Sequence, residues 1–389
     1  MKRKDPYNQF RIVSRIEHMH LCTQLYIGQI GDGTSIQDGI YTLIRKIFES
    51  RLEEFRMKRL DTIEVNTIDE KRVSIRDNGS AINLERLIEY IHFSNAKNQK
   101  RHEPIDYDYW FVAVNGMSKY FEIHCYQNGI ARSLVSEYGK IVSDKTFPRQ
   151  EKNGIYVCFE PDETIFGDFK YDTVLIHHVL DSYSYLTTGL TIKNNNARIS
   201  APYGLADLIR NTIYSSHALY PIIHFAEDNI EVAFTHVHAP WLVQNNQRKT
   251  VSANEHSNVS SIFLSFVNGT ITELGGVHQT SLKTSIVKTM RDFFGSNYNS
   301  NDILNGIVAA VSIWVKEPLF EDSGKYKLGG TYDSTDGKSI KQSVGDLIKK
   351  KLKDYLCDHT DIADIIKSKI NENNRSRKKK HTRLTANTI

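Results

Sequence analysis

The stretch LYIGQIGDGTS (25–35) runs directly into IQDGIYTLIRKIFESRLEEFRMKR (36–59), and this into TIEVNTI (62–68) and RVSIRD (72–77). A glycine-rich loop comes first. Behind it Ile40, Leu43, Ile44, Ile47, Phe48, Leu52 and Phe55 recur at intervals of three and four, the spacing of one apolar face on a long amphipathic helix. The next two segments alternate apolar with polar residues, the period of half-buried strands, and stop at the turn signal Asp77-Asn78-Gly79.

Working outward, the pattern predicts a helix over 84–93, a polar loop over 94–108, and further helix and strand signals in YWFVAVNGMSKY, FEIHCYQ and GIYVCFE (154–160). A helix near 172–188 and a strand at 189–193 close a first domain. The second half offers strands at 230–237, 261–268 and 306–315, and helices at 281–294 and 339–356. Strict strand–helix–strand alternation is missing, which favours α+β sandwiches over a doubly wound sheet. The partition read from this is an arm (1–20), two domains (21–215 and 216–370) and a basic tail (371–389).

With 389 residues, 40% hydrophobic and 25% charged, the chain has apolar content for two or three buried cores. A net charge of +4 permits weak attraction to nucleic acid without demanding it. Cys22, Cys125, Cys158 and Cys357 are scattered, without metal-ligand spacing, so reduced thiols are expected and neither zinc nor a disulfide framework. The charged start MKRKDPYNQF is followed by no apolar segment of the signal-peptide kind. No apolar run approaches the ~20 residues of a membrane helix, and a soluble, cytoplasmic protein without membrane contact is expected.

The order of glycine loop, long helix, strand ending in Asp-Asn-Gly, polar loop, VNGMSKYF and NGIYVCF resembles the GHKL (Bergerat) ATPase domain. SFVNGTITELGGVHQ, GIVAAVSIWV and EPLFEDSGKYKLGG are similar to the transducer, a ribosomal S5 domain 2-like fold, of type IIA DNA topoisomerase B subunits (gyrase B and topoisomerase IV B). The similarity covers about residues 12–370. It implies an ATP-dependent, dimerising clamp on DNA whose cleavage machinery lies outside this chain.

The resemblance also implies a site, and here the residues depart from it. Lys46 falls at the general-base position, and a cation does not take a proton from water. Ser50 falls at the Mg²⁺-anchor position, where it is a poor sole ligand. Glu49, Glu53 and Glu54 are the nearby acids. Asp77 matches the adenine-reading carboxylate and Gly79 its glycine, with Ser80 and Ala81 where the pattern has other residues. The lid reads Ile105-Asp106-Tyr107-Asp108-Tyr109-Trp110-Phe111-Val112, without the glycines that let backbone amides close on phosphates, so its aromatics are expected to plug the site. Ile155 replaces a threonine, and the phosphate-sensing loop appears as Ser323-Gly324-Lys325.

These departures together imply a degenerate pseudo-ATPase that keeps the scaffold and needs no cofactor. Its expected partners are a second copy or a topoisomerase-type subunit. One alternative is a working ATPase with a rearranged site, using ATP and Mg²⁺. Another is a DNA-binding module built on Lys2, Arg3, Lys4 and on Arg375, Arg377, Lys378, Lys379 and Lys380.

Overall fold

Two short helices, α1 (Arg15–Leu21) and α2 (Thr23–Ile27), lead through the glycine loop into α3 (Gly39–Arg56). They open a computed structural model that describes residues 15–92, 109–213, 218–227, 229–237, 261–321, 325–331 and 337–386. The loop is held from inside. The Asp38 carboxylate accepts from the Gly33 and Ser35 amides at 3.0 and 3.1 Å, and Tyr41 Oη donates to the Gly33 carbonyl at 2.7 Å. A Cβ on Gly31 would stand 2.0 Å from Asp38 Oδ1 and would push that carboxylate off the loop amides it holds. α3 then buries Ile40, Leu43, Ile44, Ile47 and Phe48 completely, the face that the spacing predicts.

The first unit continues with β1 (Thr62–Thr67), β2 (Val73–Asp77), α4 (Leu84–His92), α5 (Tyr109–Gly116), β3 (Ser118–Gln127), β4 (Ile130–Glu137), β5 (Lys140–Pro148) and β6 (Gly154–Pro161). After these come α6 (Glu163–Phe166), α7 (Thr173–Ser184), β7 (Thr191–Asn194) and β8 (Ala197–Ile199). Eight strands form one sheet in the order β5-β4-β3-β6-β2-β1-β7-β8, antiparallel except where β1 meets β7. Side chains alternate across it as a pleat requires. Ile63, Val65, Val73, Ile75, Phe121, Ile123, Val157 and Phe159 are fully buried on the helix side, and their neighbours in sequence face away. At ~25 cal/mol per Å² of apolar area, this one-sided burial is the main favourable term for the unit.

The second unit begins at Ala201, after a division at Ser200 rather than near residue 215. The reason is α8 (Leu205–Ile213), which packs on strands of the second sheet. That sheet runs β12-β11-β13-β10-β9, with β9 (Ile223–Glu227), β10 (Ile230–His236), β11 (Ile262–Val267), β12 (Thr270–Ile271) and the wholly buried central strand β13 (Ile307–Ile313). Helices α9 (Val277–Phe294), α10 (Ser300–Leu304), α11 (Ile340–Asp358) and α12 (Thr360–Ala386) join it, with a hairpin of β14 (Pro318–Phe320) and β15 (Leu328–Thr331). Ser339 and Gln342 close a capping box at the start of α11.

The expected tail at 371–389 is corrected. Residues 371–386 continue α12 as helix, because Ile362, Ile366 and Ile370 bury an unbroken i, i+4 stripe on the core. Of the expected arm, Arg15–Leu21 is helical and packed through buried Met19. The rest, with Lys2, Arg3 and Lys4, lies outside the described residues. Among the described residues no helix is long and apolar enough to cross a membrane.

Candidate functional site

Asp77 ends β2 with its carboxylate fully buried, held by a guanidinium and two backbone amides. Arg51 of α3 donates Nε at 2.6 Å to one carboxylate oxygen and Nη2 at 3.4 Å to the other. The amides of Gly79 and Ile155 donate at 2.8 and 3.3 Å. Arg51 Nη2 also donates to the Ser80 carbonyl at 2.6 Å. The Asp77-Asn78-Gly79 turn is therefore not a hairpin. Asn78 Oδ1 accepts from the amides of Asp61 and Thr62, both at 3.1 Å, and beyond Gly79 the chain runs to α4. Gly154, at φ +134°, lets β6 pass this corner, since a Cβ there would sit 2.1 Å from the Asp77 carbonyl oxygen.

Arg51 is the residue that the sequence reading overlooked. It is 4% exposed, and it lies on the apolar stripe of α3, one turn from Ile47 and Phe48 and one turn before Phe55. A cation on a buried stripe demands a buried anion, and Asp77 is that anion. Beside the pair, the Arg59 guanidinium, helped by the Ser80 amide, holds the Glu54 carboxyl down at about 2.

Lys46 turns toward α5. Its Nζ lies 4.2 Å from the centre of the Trp110 ring and 3.5 Å from Glu49 Oε2. Glu49 in turn accepts from Tyr183 Oη at 2.8 Å, and Tyr183 stacks on Phe48 at 4.5 Å. Burial pushes the Tyr183 hydroxyl well above its ordinary range. Trp110, half-buried at the start of α5, is thus a cation–π partner, while Phe111 is buried in the core. The remainder of the lid, with Asp106, Tyr107 and Asp108, lies outside the described residues. Ser50 is buried, with its hydroxyl donating to the Ile47 carbonyl of its own helix at 2.6 Å. Ile155 presents a buried aliphatic side chain where the resemblance implies a hydroxyl. Lys325 belongs to the second unit, in left-handed conformation (φ +60°) with Nζ 6.0 Å from the Phe320 ring. Ser323 and Gly324 lie outside the described residues.

The DNA-binding set divides. Arg377 donates Nε and Nη2 to the Asp302 carboxylate at 2.8 and 2.9 Å, and Asp302 is buried. Asn373 donates to the Asp302 and Asn305 carbonyls at 2.9 and 3.0 Å. Arg377 therefore fastens α12 to α10, although its side chain stays partly exposed. Arg375, Lys378 and Lys379 are exposed on the same helix, and the Lys380 side chain lies outside the described residues.

Known proteins place these observations. The DNA gyrase B family model matches residues 204–385. The B subunit of DNA topoisomerase 4 from Borreliella burgdorferi is 31% identical over 379 residues, covering 96% of this chain and 59% of that protein. The B subunit of DNA gyrase from Thermotoga maritima is 23% identical over 390 residues, with 92% and 58% covered. The chain thus spans a little under three fifths of each of these two relatives. Among solved structures, the 43K ATPase domain of Thermus thermophilus gyrase B superposes with a TM-score of 0.70 at 20% identity, covering 96% of this chain and 99% of that one. The topoisomerase IV ATP-binding domain of Francisella tularensis gives 0.69 at 19% identity, with 94% and 98% covered. The fold is that of the GHKL ATPase region of these proteins.

Proposed function

We propose that this chain, which is related to the ATPase and transducer region of type IIA DNA topoisomerase B subunits, is a clamp module whose nucleotide site is filled by its own side chains. It neither hydrolyses ATP nor uses it as a switch. One observation carries this reading: the carboxylate at the adenine-reading position, Asp77, is consumed by the buried Arg51 guanidinium. The Lys46–Trp110 contact supports it from α5, where the resemblance implies a phosphate-closing turn.

A pocket that offers nucleotide no differential contacts cannot use it to shift an open–closed equilibrium. The module therefore acts through its surfaces, as a dimer or as the partner of a topoisomerase-type subunit, and its assembly is independent of nucleotide. Steady-state turnover with Mg²⁺ and DNA is expected to be absent, and calorimetry with a non-hydrolysable ATP analogue to give no site tighter than millimolar. Turnover abolished by Lys46→Ala, or a monomer that dimerises only with the analogue in light scattering, would restore a working ATPase with a rearranged site.

A further inference from the structure

In the sheet of the first unit α5 packs on β3 and β6, and α7 on β7 and β8; the face opposite Phe121 and Ile123 carries Tyr120, His124 and Tyr156, each half-buried. That second face is built from rings. The strand register sets His124 of β3 directly opposite Tyr156 of β6, and Tyr126 opposite Ala131, which in turn faces Phe147. Around the His124 ring the centroids of Tyr156, Tyr126 and Phe147 lie at 5.6, 5.9 and 6.4 Å. Polar bonds lock these side chains. His124 Nε2 bonds Glu122 Oε1 at 2.7 Å and its Nδ1 meets Tyr126 Oη at 3.0 Å, while Tyr120 Oη donates to Glu122 Oε2 at 2.8 Å. Two guanidiniums lie over rings at the edge of the cluster, Arg72 at 4.8 Å from Tyr120 and Arg76 at 4.5 Å from Tyr126.

We propose that this face is a platform for single-stranded nucleic acid, with bases stacking on the half-buried rings of His124, Phe147 and Tyr156, the buried Tyr126 ring bracing His124 from beneath, and Arg76 at the edge. Three features select that occupant. An apolar protein partner would desolvate Glu122 and the Arg72–Glu160 pair, which are partly open to water at this surface. Duplex DNA presents mainly phosphate, and Glu64 and Glu122 face outward in the same register as the cations and would oppose it. An unpaired strand matches the mixture: its bases offer π faces to the rings and the N–H donors of their unpaired edges, N3–H in thymine and uracil, to Glu122. Its phosphates meet the exposed Lys145, level with His124 in the register, and Arg149 and Lys152 beyond the Tyr126 end. The bond network fixes the rings beforehand, so little side-chain freedom is lost on binding.

The test is fluorescence anisotropy of the full chain with labelled dT12 and rU12, and with a 12-base-pair duplex, at low salt. Binding of one or both single strands is expected to exceed that of the duplex. Stacking is worth ~1–3 kcal/mol per base, so Tyr156→Ala should weaken it about 5- to 150-fold, and Tyr156→Phe, which keeps the ring, should not. Photocrosslinking of an iodouracil oligonucleotide to the unaltered chain gives a second readout, should the alanine variant not fold. Adducts are expected within 120–126 or 147–156. Adducts elsewhere, equal or tighter duplex binding, absent single-strand binding, or full affinity in Tyr156→Ala would each overturn the proposal.

Discussion

Replacing Arg51 with methionine tests whether Asp77 is sealed as its contacts require. Methionine keeps most of the aliphatic volume on α3 and removes the charge. It strands a carboxylate that is fully buried in the native unit and bonded to Arg51 at 2.6 Å. Breaking one side of a buried ion pair typically costs about 3–5 kcal/mol. Asp77 retains two amide donors, at 2.8 and 3.3 Å, which puts the expectation near the lower end, about 3 kcal/mol. For a unit of this size each kcal/mol moves Tm by about 2–4 °C, so a fall of about 6–12 °C in the first-unit transition is expected by circular dichroism. The companion change Asp77→Asn keeps an acceptor for both amides and removes the orphaned charge. In the Arg51→Met background it should therefore restore much of the loss, and the double-mutant cycle should show coupling of about 2 kcal/mol or more. A loss under about 1 kcal/mol for Arg51→Met, with additive behaviour in the cycle, would mean that Asp77 is hydrated and open. The self-occupied site would then fall with it.

Other expectations follow from single residues. Burial holds both His236 and His278 of the second unit down at about 4, against an ordinary value near 6.5. The unfolded chain then binds more protons between those values, so stability is full above about 6.5 and lost as pH falls toward 4, by up to about 3 kcal/mol per histidine. Urea midpoints of the second unit from pH 7 to 5 should drop, and His278→Gln should flatten the slope. Gly154→Ala should destabilise the first unit by several degrees in Tm, because both its φ and the Asp77 carbonyl oppose a Cβ; an unchanged melt would refute the close approach. For duplex DNA, Arg375→Ala with Lys379→Ala should flatten the log–log salt dependence by about 1.8, at ~0.9 per phosphate contact. Arg377→Ala should leave that slope alone and instead loosen α12, read as faster amide exchange over 370–386.

How much of this was legible in the sequence can be traced residue by residue. The long helix and the paired strands follow from periodicity, since each buries a single face. The hairpin of β4 and β5 was missed, although its turn at Tyr138-Gly139 places two successive residues at positive φ, at 48° and 73°. The weak apolar content of β5, whose side chains are mostly exposed, hid it. The last helix, Thr360–Ala386, does not emerge as one: the helix signals stop at 356 and the basic run reads as a tail, although Ile362, Ile366 and Ile370 form an apolar stripe before it. In the site, Asp77 was identified by the family resemblance, but its partner is set by tertiary geometry: the two residues are 26 apart. The sign was present in Arg51 itself, a guanidinium interrupting an apolar stripe. Reading that position as a demand for a buried anion would have paired α3 with β2 before any coordinates.

The pairing also sets a scale for nucleotide exclusion. A ligand that needs the Asp77 carboxylate must first displace a guanidinium already in contact with it, and that guanidinium is present in every molecule. If displacement costs the ~3–5 kcal/mol of breaking a buried pair, affinity falls about 150- to 5,000-fold, since each 1.4 kcal/mol is a factor of ten. A site with an intrinsic strength of ~10 μM becomes one of roughly 1.5 to 50 mM. Cellular nucleotide would then populate it partly at best, and a switch from 1:99 to 99:1 needs about 5.5 kcal/mol of preference between states. The cost of displacing Arg51 is of the same size as the free energy that a nucleotide switch would need, so even a pocket that opened on occasion would have little left with which to close a clamp. Mutating Lys46 or Trp110 alone leaves that cost in place, whereas Arg51→Met removes it. Nucleotide binding that appears in Arg51→Met but not in Trp110→Ala would locate the block at the base end of the pocket; the reverse result would place it at the phosphate end and refute the ranking argued from these distances.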